Sequence, residues 1–203
     1  GINRMRIIAG SKARMTLMPP RDLTTRPITD RVKEALFSIL VADVPDAVVA
    51  DLFCGTGSLG LEALSRGARH AIMVDKDHDA VKRARQNIEK LRFQDQTTLI
   101  LTDVFRYGIP GSKNQHPDDS DCCDLVFLDP PYIFSRHTGP DSDIGKLLWK
   151  ISGQVAPLAL VVVRHDKHSE FLPAYNTLHQ YDRREYGNMA LTFFKNIIDG
   201  RGV

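Results

Sequence analysis

From residue 47 onward the chain repeats one pattern: a short apolar run, a turn rich in glycine or acid, and an amphipathic stretch. The runs fall at 47–53, 71–74, 98–101, 125–128 and 158–163. Strands that read as almost unbroken apolar runs are buried on both faces, and helical crossovers between them force parallel pairing. The pattern therefore predicts an α/β, Rossmann-like fold built on a mostly parallel sheet. Helices are expected at 59–65, at 79–91 with Val81, Ala84, Ile88 and Leu91 on one stripe, and at 144–151. A further helix over 30–42, capped by Thr29 or Asp30, places Val32, Leu36, Ile39 and Leu40 on one side. The tail changes character. Segments 177–186 and 189–195 flank Gly187-Asn188 and predict an antiparallel hairpin closing one sheet edge.

Residues 5–18 alternate loosely about Gly10-Ser11, which suggests a small β-hairpin ahead of the main domain, with Pro19, Pro20 and Pro27 in the linker behind it. This divides the chain into a basic extension over 1–28 and a main domain over 29–203. Residues 108–121 are polar and rich in Pro and Gly, and read as a surface loop. The formal net charge of +2 is unevenly spread. Residues 1–34 hold eight Lys or Arg against three acids, so the remainder is net acidic. A basic end on a mildly acidic body suits a phosphate-rich partner, with Arg6, Lys12 and Arg14 as candidate contacts. Three cysteines (Cys54, Cys122, Cys123) make no disulfide framework, no apolar run is long enough for a membrane span, and no leader opens the chain. A cytoplasmic setting is the expectation.

Asp51-Leu-Phe-Cys-Gly55-Thr-Gly57-Ser-Leu-Gly60 joins the first strand to the first helix and satisfies a dinucleotide-binding glycine pattern. A nicotinamide oxidoreductase is the obvious reading, and Asp51 argues against it. A carboxylate at the strand's carboxyl end repels a pyrophosphate but suits a cationic ligand such as the methionine part of S-adenosylmethionine. Asp75 ends the second strand, where it can accept from ribose hydroxyls, and Asp103 follows the third, where it can accept from an adenine amine. The expected cofactor contacts are Asp51, Phe53, Gly55, Gly57, Asp75, Lys76, Asp103 and Val104. Each acid could equally be a helix cap or turn former; the register of all three favours the cofactor.

Asp129-Pro130-Pro131-Tyr132 follows the fourth apolar run, at the sheet edge where open α/β folds bind ligands. An aromatic amine is a poor nucleophile until its nitrogen pyramidalises, and acceptors aimed at its N–H bonds favour that geometry. Asp129 offers a carboxylate and Pro130 a carbonyl, both held by proline stereochemistry. Tyr132 offers a face on which a base can stack. The catalytic candidates are Asp129, Pro130 and Tyr132, with Pro131 beside the base. Cys54 reads as a packing residue rather than a nucleophile, and His165 and His168 lack the partners of a metal site.

These residues resemble the RsmD-type bacterial methyltransferases of 16S ribosomal RNA. The likeness covers Arg6-Ile-Ile-Ala-Gly10, the stretch 26–37 (RPITDRVKEALF), 51–68, 129–132 and Tyr186-Gly187. The tetrapeptide occurs across many amino-methyltransferases, so residues 26–37 carry the assignment. The resemblance implies a class I methyltransferase sheet of seven strands and an N-terminal hairpin. It implies transfer of a methyl group from S-adenosylmethionine to N2 of one guanine, by a monomer, without metal. The substrate would be the small subunit or a late precursor. It also places Arg26, Thr29, Asp30 and Arg31 near cofactor and base. This chain departs from the usual pattern at Arg164-His165, where relatives carry an acid, and in its long 108–121 loop. The alternatives are an adenine-N6 methyltransferase acting on DNA or RNA, a nicotinamide oxidoreductase, and a non-catalytic assembly factor.

Overall fold

Eight strands form one sheet in a computed structural model that describes residues 5–21, 27–111 and 122–198. In chain order the elements are α1 (Asp30–Ile39), β1 (Val48–Leu52), α2 (Ser58–Ser65), β2 (His70–Asp75), α3 (His78–Leu91), β3 (Thr97–Leu101) and α4 (Val104–Tyr107). Then follow β4 (Cys123–Leu128), α5 (Asp143–Ser152), β5 (Val155–Asp166), β6 (Ala174–Tyr175), β7 (Leu178–Tyr186) and β8 (Met189–Asn196). The strand order is β3-β2-β1-β4-β5-β8-β7-β6. The first five run parallel and β8 joins β5 antiparallel; the chain steps from β1 out to β3 and then returns to β4 on the other side of β1. That reversal opens a crevice beyond the carboxyl ends of β1 and β4.

The alternation of side chains along each strand feeds two cores. Val49, Met73, Phe127 and Val162 face α1, α2 and α3 on one side. Ala50, Val74, Val126 and Val163 face α4 and α5 on the other. Both faces are covered, which is why the strands read as continuous apolar runs rather than alternating ones.

The expected elements are present, with differences that have local causes. α1 ends at Ile39, short of residue 42, where the Leu40 N–H closes on the Leu36 carbonyl at 3.1 Å. β5 begins at Val155 rather than 158, because its first residue pairs with Cys123 before an irregularity around Leu158, at φ 65°, shifts the register. The helix α4 and the two-residue edge strand β6 are additions to the seven expected strands and their helices. Residues 112–121 of the predicted surface loop lie outside the described residues.

The N-terminal hairpin pairs through a bridge between Arg6 and Thr16, with Ile7 N–H on the Met15 carbonyl and Arg14 N–H on the Ile7 carbonyl. Ile7 and Leu17 are buried in the same core as α1 and α2. A Cβ at Gly10, φ 87°, would lie 1.8 Å from the Ser65 carbonyl oxygen, so only glycine lets the turn sit on α2. Glu62 of α2 accepts from the N–H groups of Ile8 and Ala9 at 2.8 and 3.0 Å and from Arg66 Nε at 2.8 Å. Lys33 of α1 donates to the Arg6 carbonyl at 2.6 Å and lies 3.2 Å from Glu62. The hairpin is thus bound to the domain by a buried ionic cluster as well as by apolar contact.

Candidate active site

The loop after β1 turns sharply at Phe53, whose φ of 62° is left-handed, and again at Gly55 and Gly57. Gly57 caps α2, and Gly60 lies so close to the strand below that a Cβ would come 2.6 Å from Met73 Cε and 3.2 Å from Asp51 Oδ2. Asp51, 1% exposed, accepts the Gly60 N–H through Oδ2 at 2.8 Å and so holds helix and strand together. Asp75 accepts from Gly55 N–H at 2.8 Å through Oδ2 and from Asp77 N–H at 2.9 Å through Oδ1. Asn87 on α3 donates to the Thr56 carbonyl at 3.0 Å and exchanges bonds with the Met18 backbone, tying the loop to the N-terminal segment.

These residues border a cleft of about 1050 Å³ at the carboxyl ends of β1, β2, β4 and β5. It brings together Asp51, Phe53, Gly55, Asp75 and Lys76 with Asp129, Pro130, Pro131 and Tyr132. The glycine loop and the tetrapeptide thus share one cavity, as their positions in the chain predict. Gly57, Asp103 and Val104 do not line it. Gly57 stands behind the loop as the cap of α2, Asp103 caps α4 by accepting from Phe105 N–H at 2.9 Å, and Val104 is buried in the core.

The cleft also contains residues that the sequence reading did not select. Phe105 packs between Phe53 and Phe134, with ring centroids 5.1 and 4.6 Å away, and makes an aromatic wall beside Asp75. The signal was the position of Phe105 just behind the cap Asp103, and that of Phe134 within the 3-10 turn Tyr132–Ser135. Pro27 and Ile28 reach the cleft from the linker, and Asn188 from the β7–β8 turn. Arg164, noted in the sequence only as a departure, is 6% exposed and donates from Nε to Asp129 Oδ1 at 2.7 Å.

Of the candidate RNA contacts, Thr29 caps α1 by accepting from Val32 N–H at 3.3 Å, and Asp30 pairs with Arg6 at 2.8 Å. Arg6, Arg14 and Arg31 are exposed, and Lys12 is half-buried with its ammonium 5.7 Å from the Phe93 ring centre. None of these lines the cleft, although residues 27 and 28 lead from it into α1. Arg26 lies outside the described residues.

Burial pushes the Asp51 carboxyl up to about 8, with the Gly60 N–H opposing and the charges of Asp129 and Asp75 adding. Burial also raises Asp129, while the Arg164 charge and bond pull it back. Burial lifts the Cys54 thiol well above its ordinary value, with Asp51 and Asp75 adding, so it is held as a thiol and is no nucleophile. His165 is fully buried, bonded to Thr192 Oγ1 at 2.7 Å and to the Asp166 carbonyl at 2.8 Å, and burial lowers it to about 4. It is a core residue. Among the described residues no helix is long and apolar enough to cross a membrane, and no cluster of three or more His, Cys, Asp or Glu stands in metal-binding arrangement.

The cleft fits S-adenosylmethionine. A Cβ at Gly55 would meet nothing within 4 Å beyond its chain neighbours, so the loop leaves open space beside the strand ends. Carboxylates at those ends suit a ligand bearing ammonium, sulfonium and ribose hydroxyls, and the aromatic wall suits an adenine.

Comparison with known proteins agrees with this geometry. The profile of the family described as "Conserved hypothetical protein 95" matches residues 5–195. The Bacillus subtilis protein named "Putative rRNA methyltransferase YlbH" is 30% identical over 94% of this chain and 98% of its own. "Ribosomal RNA small subunit methyltransferase D" of Haemophilus influenzae is 29% identical over 85% of this chain and 84% of its own. The solved structure titled "Putative methyltransferase yhhF from Escherichia coli" superposes with a TM-score of 0.76 at 25% identity, covering 96% of this chain and 98% of that one. Sheet, cleft and sequence thus lead to one conclusion: the chain belongs to this family, that of the RsmD-type methyltransferases.

Proposed function

We propose that this protein transfers a methyl group from S-adenosylmethionine to the exocyclic N2 amine of a guanine in 16S ribosomal RNA. It works as a cytoplasmic monomer on the 30S subunit or a late precursor. The observation that carries the reading is Asp129, set at the end of β4 in the same cleft as the glycine loop, with its Oδ2 making no bond to a described residue. Family membership supports the choice of ribosomal RNA, and guanine N2 rests on the match at residues 26–37.

When bound, S-adenosylmethionine supplies an electrophilic methyl carbon, whose bond to sulfur breaks with the electron pair leaving on sulfur as the new C–N bond forms. The residues of the chain prepare the nucleophile. Asp129 accepts one amine hydrogen and the Pro130 carbonyl a second, which draws the nitrogen lone pair out of conjugation and stabilises the charge that develops on it. Half-buried Tyr132 stacks on the base, and exposed Pro131 borders its entry. The proton leaves after transfer, and no covalent enzyme intermediate is needed. Asp51, Asp75 and the aromatic wall hold the methyl donor. Asp103 and Val104 support that wall from behind through Phe105. Arg6, Lys12, Arg14, Arg26 and Arg31 of the basic segment grip RNA phosphates while the cleft takes the base.

Asp129→Ala tests this directly. Turnover on 30S particles is expected to fall by at least about a hundredfold, the scale of losing one oriented transition-state partner. Calorimetry should show S-adenosylmethionine binding retained. Full activity in the variant would overturn the mechanism.

A further inference from the structure

The mechanism asks Asp129 to be an anion, yet the fold places it where anions are disfavoured. Burial raises its carboxyl, and Asp51 lies close enough for the two charges to oppose each other. A protonated Asp129 would be a weaker, uncharged acceptor with a donor hydrogen facing an amine that is itself a donor, and the contact would be weakened. Something must hold the carboxylate ionised and aimed.

Among the described residues that line the cleft, Arg164 is the buried cation. Leu128 of β4 is paired with Val163 of β5, so Asp129 and Arg164 come next at the ends of neighbouring parallel strands. Both follow residues, Phe127 and Val162, that face the core of α1 to α3, and both line the cleft. Arg164 Nε donates to Asp129 Oδ1 at 2.7 Å, with its side chain 7% exposed and that of Asp129 23% exposed. The same guanidinium lies 5.9 Å from the Tyr132 ring centre, within cation–π distance. The other titratable groups lining the cleft are Asp51, Cys54, Asp75, Asp77, Asp79, Tyr132, Asp166 and His168, with the cations Arg21 and Lys76 exposed and Arg83 half-buried. Besides burial, the influences on the Asp129 carboxyl are the charge and the hydrogen bond of Arg164, and both pull it down.

We infer that Arg164 is a positioning residue for the methylation: it holds the Asp129 carboxylate as an anion in one orientation, so that Oδ2 meets the amine of the base. One guanidinium thereby orders both working side chains, the acceptor Asp129 and the stacking ring of Tyr132. The inference rests on the proposed role of Asp129 and goes beyond it by naming what keeps that residue competent.

The test is kcat against pH for the whole protein on 30S particles, for wild type, Arg164→Ala and Arg164→Lys. S-adenosylmethionine is kept saturating so that titration of Asp51 does not enter. In Arg164→Ala the acidic limb is expected to move up by about one pH unit or more, which lowers kcat roughly tenfold at pH values below both limbs and leaves it recovered at alkaline pH. Arg164→Lys retains the charge without the planar fork, so its limb should fall between the other two. Calorimetric binding of S-adenosylmethionine reports that each variant is folded. If Arg164→Ala does not fold, the Lys variant decides by the direction of its limb. A loss equal at every pH, or no loss, overturns the inference. Asp129→Asn separates this from the parent reading: full turnover in that variant would sink the role of Asp129 itself. An inactive Asp129→Asn beside an unshifted Arg164→Ala sinks the inference alone.

Discussion

Lys33 Nζ lies 3.2 Å from Glu62 Oε2 with 2% and 0% of the two side chains exposed, in the seam between the N-terminal hairpin and the main domain. The ammonium also donates to the hairpin carbonyl of Arg6 and to Ser58, a residue of the cleft, at 3.2 Å. Glu62 meanwhile accepts from two hairpin N–H groups. Burial lowers the pKa of Lys33, with Glu62 holding it up.

Removing one partner leaves the other charge buried and unpaired. Glu62→Ala is therefore expected to lose about 3–5 kcal/mol of stability, the range for a broken buried pair. Urea unfolding would show the midpoint falling with little change in slope. A loss below about 1 kcal/mol, as for a surface ion pair, would mean that the seam is not the anchor described.

Asp51 predicts a dependence of cofactor affinity on pH. Its carboxyl is pushed up to about 8 in the folded protein, so it is largely neutral at pH 6 and ionises as pH rises through 8. A cationic ligand prefers the ionised form, so affinity for S-adenosylmethionine should rise from pH 6 towards 8, by up to about tenfold per unit. Above that range the donor's own α-amino group loses its proton and the rise stops. Asp51→Asn should flatten the curve while keeping an acceptor for the Gly60 N–H. The same shift has a sign for stability: the folded state holds a proton that the unfolded chain releases near 4, so this residue lowers stability as pH rises from about 4 to 8. Calorimetry and thermal unfolding across that range check both.

The basic segment predicts a dependence on salt. Arg14 is exposed on the hairpin and Lys12 is half-buried beside it. If each meets an RNA phosphate, Lys12→Ala and Arg14→Ala should each lower the slope of log affinity against log salt by about 0.7 to 0.9. The KM for RNA should rise while S-adenosylmethionine binding stays constant. A filter-binding titration over several salt concentrations decides it, and unchanged slopes would remove the hairpin from the RNA interface.

The parallel sheet was legible because its strands are buried on both faces, and the hairpin tail because Gly187-Asn188 marks its turn. The meeting of Asp51, Gly55 and Asp129 in one cleft was legible too, since strand ends in such a sheet share an edge. Three things were not. The aromatic wall is the first: Phe105 lines the cleft just behind Asp103, whose Oδ1 accepts the Phe105 N–H, and nothing in that segment marks the ring. Lys33 and Glu62 look like ordinary helix-surface charges, because nothing in their own segments shows that the hairpin lands on them. Arg164 stands where an acid was expected, and its partner is 35 residues away on the neighbouring strand.

The most direct test of the proposed reaction is mass spectrometry of nucleosides from 30S particles lacking the modification, after incubation with the protein and methyl-labelled S-adenosylmethionine. The label should appear in N2-methylguanosine from 16S ribosomal RNA and vanish with Asp129→Ala. Label in N6-methyladenosine, or none in RNA, would contradict it.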